Sequence, residues 1–278
     1  MTFWQTTRFR IDLARPQVMG IVNVTPDSFS DGGLHASTAA AIVHCEQLLA
    51  EGADMLDIGG ESTRPGSWPV SVDEELARVL PVLDAALALG CPVSIDTSKA
   101  EVMTAALARG ADIVNDINAL QSAGALDAVA AHPNCGICVM HMRGTPESMQ
   151  QRPKYDDVVD EVAAFLRERE RALLARGIGP ERITFDPGIG FGKSVAHNIE
   201  LLRRQRELLG LGRPLLVGWS RKSTLGAITG RAVTERLAAS VAAALAAIQS
   251  GASIVRVHDV AATVDALKVW QAAGLLNG

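Results

Sequence analysis

Gly52-Ala53-Asp54-Met55-Leu56-Asp57 is written twice more along the chain with the same plan, as Gly110-Ala111-Asp112-Ile113-Val114-Asn115 and Gly251-Ala252-Ser253-Ile254-Val255-Arg256. Each copy opens with glycine, which ends a helix in the left-handed conformation at little steric cost. A short apolar strand follows, and a polar residue closes the unit. A recurring helix-end, strand and polar tip predicts alternating strands and helices, with Asp57, Asn115 and Arg256 at like depths near the upper end of a barrel.

Working outward, buried-strand runs fall near 17–23, 53–59, 92–96, 111–116, 135–140, 182–186, 214–218 and 252–257. Helical patterns lie near 38–51, 73–89, 99–109, 122–131, 156–176, 197–209, 234–250 and 260–273. Eight such units with no composition break predict an α/β fold, a single (β/α)8 TIM barrel, over an open doubly wound sheet. A short N-terminal segment shows strand-like alternation at Phe9, Ile11 and Leu13. No Pro/Ser linker or run of like charge divides residues 1–278, so one domain is expected.

With 48% hydrophobic and 21% charged residues the chain has the makings of an ordinary globular core, which excludes disorder. A net charge of -5 argues against broad nucleic-acid binding and leaves room only for a local basic pocket. No apolar run reaches the roughly eighteen residues of a membrane span, and Met1 to Arg10 lacks a signal-peptide pattern, so a cytoplasmic protein is expected. Four cysteines are too few for a disulfide-stapled fold of this length. Cys135 and Cys138 have redox spacing, but they sit in one apolar run, where residues three apart face opposite sides of a strand.

In a barrel of this kind, residues just past the strand ends converge on one face. Met19 to Gly33 shows the pattern: an apolar run that breaks into amides, hydroxyls, carboxylates and glycines. Read in order, the strand ends deliver Asn23; Glu61, Thr63 and Arg64; Asp96; Asn115; Met140 and His141; Asp186; Ser220 and Lys222; and Arg256 and His258. Acceptors and an amide at Asp96, Asn115 and Asp186 suit a flat, nitrogen-rich heterocycle, while Arg64, Lys222, Arg256 and His258 suit an anion. Together they point to a heteroaromatic ligand bearing phosphate.

Two motifs mislead. Pro187 to Ser194 ends in Gly-Lys-Ser like a nucleotide loop, but its leading glycine is Pro187, which has no N–H to donate. Its glycines are read instead as letting the backbone and Phe191 approach a ligand. Gly218 to Lys222 begins like a nucleophile elbow and ends in Lys, so Ser220 is read as a hydrogen-bonding residue. His141 and His258 lack zinc-ligand spacing, which leaves a hard cation carried by the phosphate group.

These segments resemble the dihydropteroate synthase family, pterin-binding barrel enzymes of folate biosynthesis. The likeness is carried by residues 19–33, 57–66, 94–99, 115–117, 140–142, 153–156, 186–193, 218–223 and 256–259, in the family's order. It implies condensation of 6-hydroxymethyl-7,8-dihydropterin diphosphate with 4-aminobenzoate, releasing pyrophosphate, with Mg²⁺ as cofactor and a homodimeric assembly. It places the Mg²⁺ on Asn23, the diphosphate on Thr63, Arg64, Arg256 and His258, and the pterin on Asp96, Asn115, Asp186 and Lys222. Ser220, Lys222 and Phe191 would border the aminobenzoate, Met140, Gly218 and Val257 would line the substrate pocket, and Phe29 and Pro65 would close over it. Asp96, Asp186, Lys222, Arg256 and His258 would carry catalysis. The rivals are a methyltetrahydrofolate-dependent methyltransferase barrel, which has no use for the diphosphate equipment, and a non-catalytic pterin-binding protein.

Overall fold

The structure, a computed structural model, describes residues 2–25, 33–63, 67–146, 148–149 and 153–276. A small antiparallel hairpin, β1 (Phe3–Gln5) and β2 (Arg10–Asp12), precedes the main body. Eight parallel strands follow: β3 (Gln17–Asn23), β4 (Met55–Gly59), β5 (Val93–Asp96), β6 (Ile113–Asp116), β7 (Gly136–Met140), β8 (Ile183–Asp186), β9 (Leu216–Val217) and β10 (Ile254–Val257). Between and after them run α1 (Gly33–Ala50), α2 (Val72–Leu87), α3 (Ala100–Arg109), α4 (Ala125–Ala130), α5 (Val158–Ala175), α6 (Val195–Arg203), α7 (Gln205–Leu208), α8 (Ser223–Thr229), α9 (Leu237–Gln249) and α10 (Val260–Ala272).

The strands pair in the continuous order β8-β7-β6-β5-β4-β3-β10-β9. The two ends of that series meet at a parallel bridge between Phe185 and Leu215, where the Phe185 N–H donates to the Pro214 carbonyl at 3.0 Å. This junction closes the sheet into a barrel and removes the open-sheet alternative. The three repeat glycines end their helices as the sequence implies, with φ of 99° at Gly52, 103° at Gly110 and 95° at Gly251.

Because successive strand residues face opposite ways, the strands feed two cores. One face, including Val22, Ile58, Ile95, Phe185 and Val257, packs under the helices. The other face, Met19, Met55, Ile113, Cys138, Leu216 and Ile254, fills the lower lumen, capped by Trp4 and Ile11 of the hairpin. Trp4 is fully buried and its indole N–H donates to the Arg182 carbonyl at 2.8 Å. Cys135 and Cys138 lie in different cores, both buried and unpaired, as the strand alternation requires.

Three local departures from the sequence reading have physical causes. The helix expected over 197–209 breaks at Arg204, which leaves helical geometry and pairs with Asp157 and Glu207 at 2.7 and 2.8 Å. The expected strand 214–218 retains ladder pairing only at Leu216–Val217. An extra short helix, α8, follows β9 where polar Ser223 and Thr224 gave no helical periodicity. Among the described residues no helix is long and apolar enough to cross a membrane.

Candidate active site

The polar tips of the three repeat units touch one another. Asp57 is fully buried, and its Oδ2 accepts from Arg256 Nε at 2.5 Å and from Asn115 Nδ2 at 3.1 Å. Arg256 Nη2 reaches Asp96 Oδ2 at 2.7 Å, so one guanidinium spans two carboxylates drawn from β4 and β5. Asp57 Oδ1 has no hydrogen-bond partner among the described residues. Burial pushes Asp96 up to about 7, against the downward pull of Arg256. Burial by itself would lower Arg256, but the charges of Asp57 and Asp96 outweigh it and hold the guanidinium above its ordinary value.

A second cluster forms at the ends of β8 and β9. Asp186 Oδ1 accepts from the Gly188 N–H at 2.7 Å, and burial raises its carboxyl. Lys222 is lowered to about 8 by burial, opposed by the charge of Asp186, and its ammonium lies 4.1 Å from the centre of the Phe191 ring. Arg221 takes a left-handed φ of 58°, a conformation costing a non-glycine residue about 1 kcal/mol or more. Its backbone N–H donates to Ser240 Oγ at 3.0 Å and its guanidinium pairs with Asp259 at 2.5 Å, which hold that turn. Beside it, Ser220 Oγ accepts from the His258 N–H at 3.1 Å and lies 3.0 Å from its ring Nδ1.

The clusters share one field: Lys222 responds to Asp186, Arg256 and Asp96, and Arg256 to Asp57, Asp96 and Asp186. Asp57, Asp96, Asn115 and Arg256 are joined by hydrogen bonds, Lys222 lies against Phe191, and Gly218 borders Arg256, all in or just past the barrel strands. Met140 is buried, in register with Asp186 and close below Gly188. Asn23 ends β3, half-buried and level with Gly59. Thr63 is half-buried in the loop after β4, whose stem is fastened by Glu61: one oxygen accepts from the Val70 N–H at 3.1 Å, the other from Lys99 Nζ at 2.6 Å. Arg64, Phe29 and Pro65 lie outside the described residues.

Some expectations are redirected. Val257 turns its side chain away from the lumen into the core beneath the helices, so only its backbone is available to a ligand. Glu61 anchors a loop stem. His141 is buried against Phe165 and Lys193, and burial drives its ring down to about 2, so it is neutral. The glycines of 188–192 let backbone meet backbone: a Cβ at Gly188 would stand 1.9 Å from the His141 carbonyl oxygen. Sequence reasoning gave Asp57 no role beyond its depth in the repeat. That depth, shared with Asn115 and Arg256, was the available signal.

A closed α/β barrel with charged groups gathered at the C-terminal ends of its strands defines an enzyme of the barrel class that binds its ligand in the lumen mouth. The family described as pterin binding enzyme matches residues 19–258, and the chain belongs to it. It is 55% identical to the dihydropteroate synthase of Neisseria meningitidis serogroup B over 98% of both chains. Its structure resembles the Xanthomonas albilineans dihydropteroate synthase with 4-aminobenzoic acid, with a TM-score of 0.90 and 54% identity over 95% of each chain. It also resembles the Burkholderia cenocepacia dihydropteroate synthase complexed with 7,8-dihydropteroate, with a TM-score of 0.90 and 51% identity over 98% of this chain and 96% of that one.

Proposed function

We propose that the chain is a dihydropteroate synthase, a transferase joining 6-hydroxymethyl-7,8-dihydropterin diphosphate to 4-aminobenzoate with release of pyrophosphate. The observation that carries this reading is the Arg256 guanidinium held between Asp57 and Asp96 beside Asn115, facing the Asp186–Lys222 cluster across the same lumen. Asp96, Asn115, Asp186 and Lys222 hold the pterin, with Met140 beneath and Gly218 at the edge. Thr63, Arg64, Arg256 and His258 receive the diphosphate, with Ser220 holding His258 in place. Phe191 and Lys222 border the aminobenzoate.

The residue types suit bond breaking that runs ahead of bond making. Loss of pyrophosphate leaves positive charge on the exocyclic methylene and dihydropterin ring; buried carboxylates at Asp96 and Asp186 stabilise it, and cationic side chains accept the leaving anion. The arylamine is already a nucleophile, so the site needs no strong base on the protein. Asn23 offers one hard oxygen, and among the described residues no group of three His, Cys, Asp or Glu could hold a metal by itself. That donor set suits a Mg²⁺ brought in with the diphosphate, which Asn23 would hold. When bound it would supply charge neutralisation at the diphosphate.

A homodimer is part of the proposal, supported by exposed Ile228, Val233, Leu237 and Val269 on and between the neighbouring helices α8, α9 and α10. A cytoplasmic location is supported by four buried, unpaired thiols. The test is incubation with both substrates and Mg²⁺, assaying dihydropteroate and pyrophosphate. Equal amounts of the two products are expected, and the absence of both refutes the assignment.

A further inference from the structure

The lysine of the sequence that mimics a nucleotide loop has no part in the roles above, yet Lys193 is only 2% exposed. Burial pushes this amine well below the ordinary lysine range, and a polar group so removed from water must be hydrogen-bonded. Its Nζ lies 2.9 Å from the Gly188 carbonyl, 3.0 Å from the Phe191 carbonyl, 2.9 Å from His141 Nδ1 and 3.2 Å from the His141 carbonyl. The neutral imidazole can present Nδ1 as an acceptor. Every one of these atoms belongs either to the end of β7 or to the glycine loop after β8.

The same two segments meet through their backbones. A Cβ at Gly188 would stand 1.9 Å from the His141 oxygen, and one at Gly192 would stand 2.3 Å from the Arg143 oxygen. The loop so held carries the Asp186–Gly188 turn at one end and Phe191, with its ring against the Lys222 ammonium, at its middle. Tyr155 also reaches the loop through the Gly192 carbonyl, and Asn198 through the Gly190 N–H, each at 2.9 Å. Lys193 alone among these three bonds to Gly188 and to Phe191.

We propose that Lys193 is a positioning residue: it fastens the glycine loop to the end of β7, so that Phe191 lies against Lys222 and the Asp186 turn faces the lumen mouth. The inference rests on the proposed reaction, in which Phe191 borders the aminobenzoate. Lys193→Met keeps the side-chain length and removes every donor. Steady-state kinetics are measured on the full-length wild type, Lys193→Met, Phe191→Ala and the double variant. In the wild-type background Lys193→Met should raise KM for 4-aminobenzoate about tenfold, the scale of a mispositioned binding group. In the Phe191→Ala background that factor should shrink by about threefold or more, because the ring that the lysine places is gone. Factors that agree more closely than this in the two backgrounds, or a lowered melting temperature with unchanged KM, overturn the inference. Where Lys193→Met does not fold, Lys193→Gln, which keeps one amide donor, is judged by the same criterion. Turnover by wild type with no coupling defeats this inference alone, whereas no turnover by wild type defeats the proposed reaction.

Discussion

Replacing Arg256 by Met should cost the ligand-free protein stability, and the size of the loss should depend on pH. The guanidinium pairs with Asp57, whose side chain is fully buried, and with Asp96, whose side chain is 15% exposed. Removing one partner of a buried pair typically costs about 3–5 kcal/mol, because the charge left behind is uncompensated. Asp57 would retain only the 3.1 Å bond from Asn115, while Asp96 can rehydrate in part, so about 3 kcal/mol is expected at alkaline pH. A carboxyl raised above its unfolded value gives stability that is present at low pH and lost as pH climbs through its folded value. Asp96 stands at about 7 even with Arg256 drawing it down. Without the guanidinium it moves higher, so the deficit of the variant widens as pH rises through 7, by roughly 1.4 kcal/mol for each further unit. Urea unfolding without ligands, near pH 6 and pH 8.5, measures both quantities. A loss under about 1 kcal/mol, or one equal at the two pH values, would refute the view that the two carboxylates depend on this cation.

Three further outcomes follow from the same geometry. The pH profile of kcat/KM, which reports the free enzyme, should rise as Asp96 ionises near 7 and fall as Lys222 loses its proton near 8, and a flat profile between 6 and 9 would remove both groups from the rate. Asp186→Ala should weaken pterin binding and reduce kcat/KM by about a hundredfold or more, read by calorimetry and kinetics, and unchanged values would take Asp186 out of the site. Gly188→Ala should lower stability by about 2 kcal/mol or more, because its φ of 69° disfavours a side chain and the new methyl would meet the His141 carbonyl, and an unshifted melting curve would count against that close approach.

The eight strands were readable because each is buried on both faces, which leaves short apolar runs bounded by turn residues. The glycine-ended repeats then announced both the unit and the depth of Asp57, Asn115 and Arg256. Other features depend on pairings that local pattern does not record. The bond from Arg256 to Asp57 joins residues 199 apart and exists only because the last strand, β10, pairs with the first barrel strand, β3, next to β4. Pro187 ruled out a nucleotide loop at 187–194 but left Lys193 without a role, because Gly-Lys-Ser is locally the same whether its lysine faces an anion or four acceptors of its own chain. Val257 was placed at the pocket beside Arg256, although strand alternation sends neighbours in opposite directions. The break at Arg204 follows from a distant partner, Asp157, which helical periodicity does not reveal.

The hairpin stopper at the foot of the barrel, with Trp4 tied to Arg182, leaves the opposite rim as the way in. A cavity sealed below has a single doorway, so whatever goes in deepest must go in first and cannot depart underneath its companion. Were the pterin, as proposed, seated among Asp96, Asn115 and Asp186 and the arylamine near Phe191, both would have to pass the same upper rim.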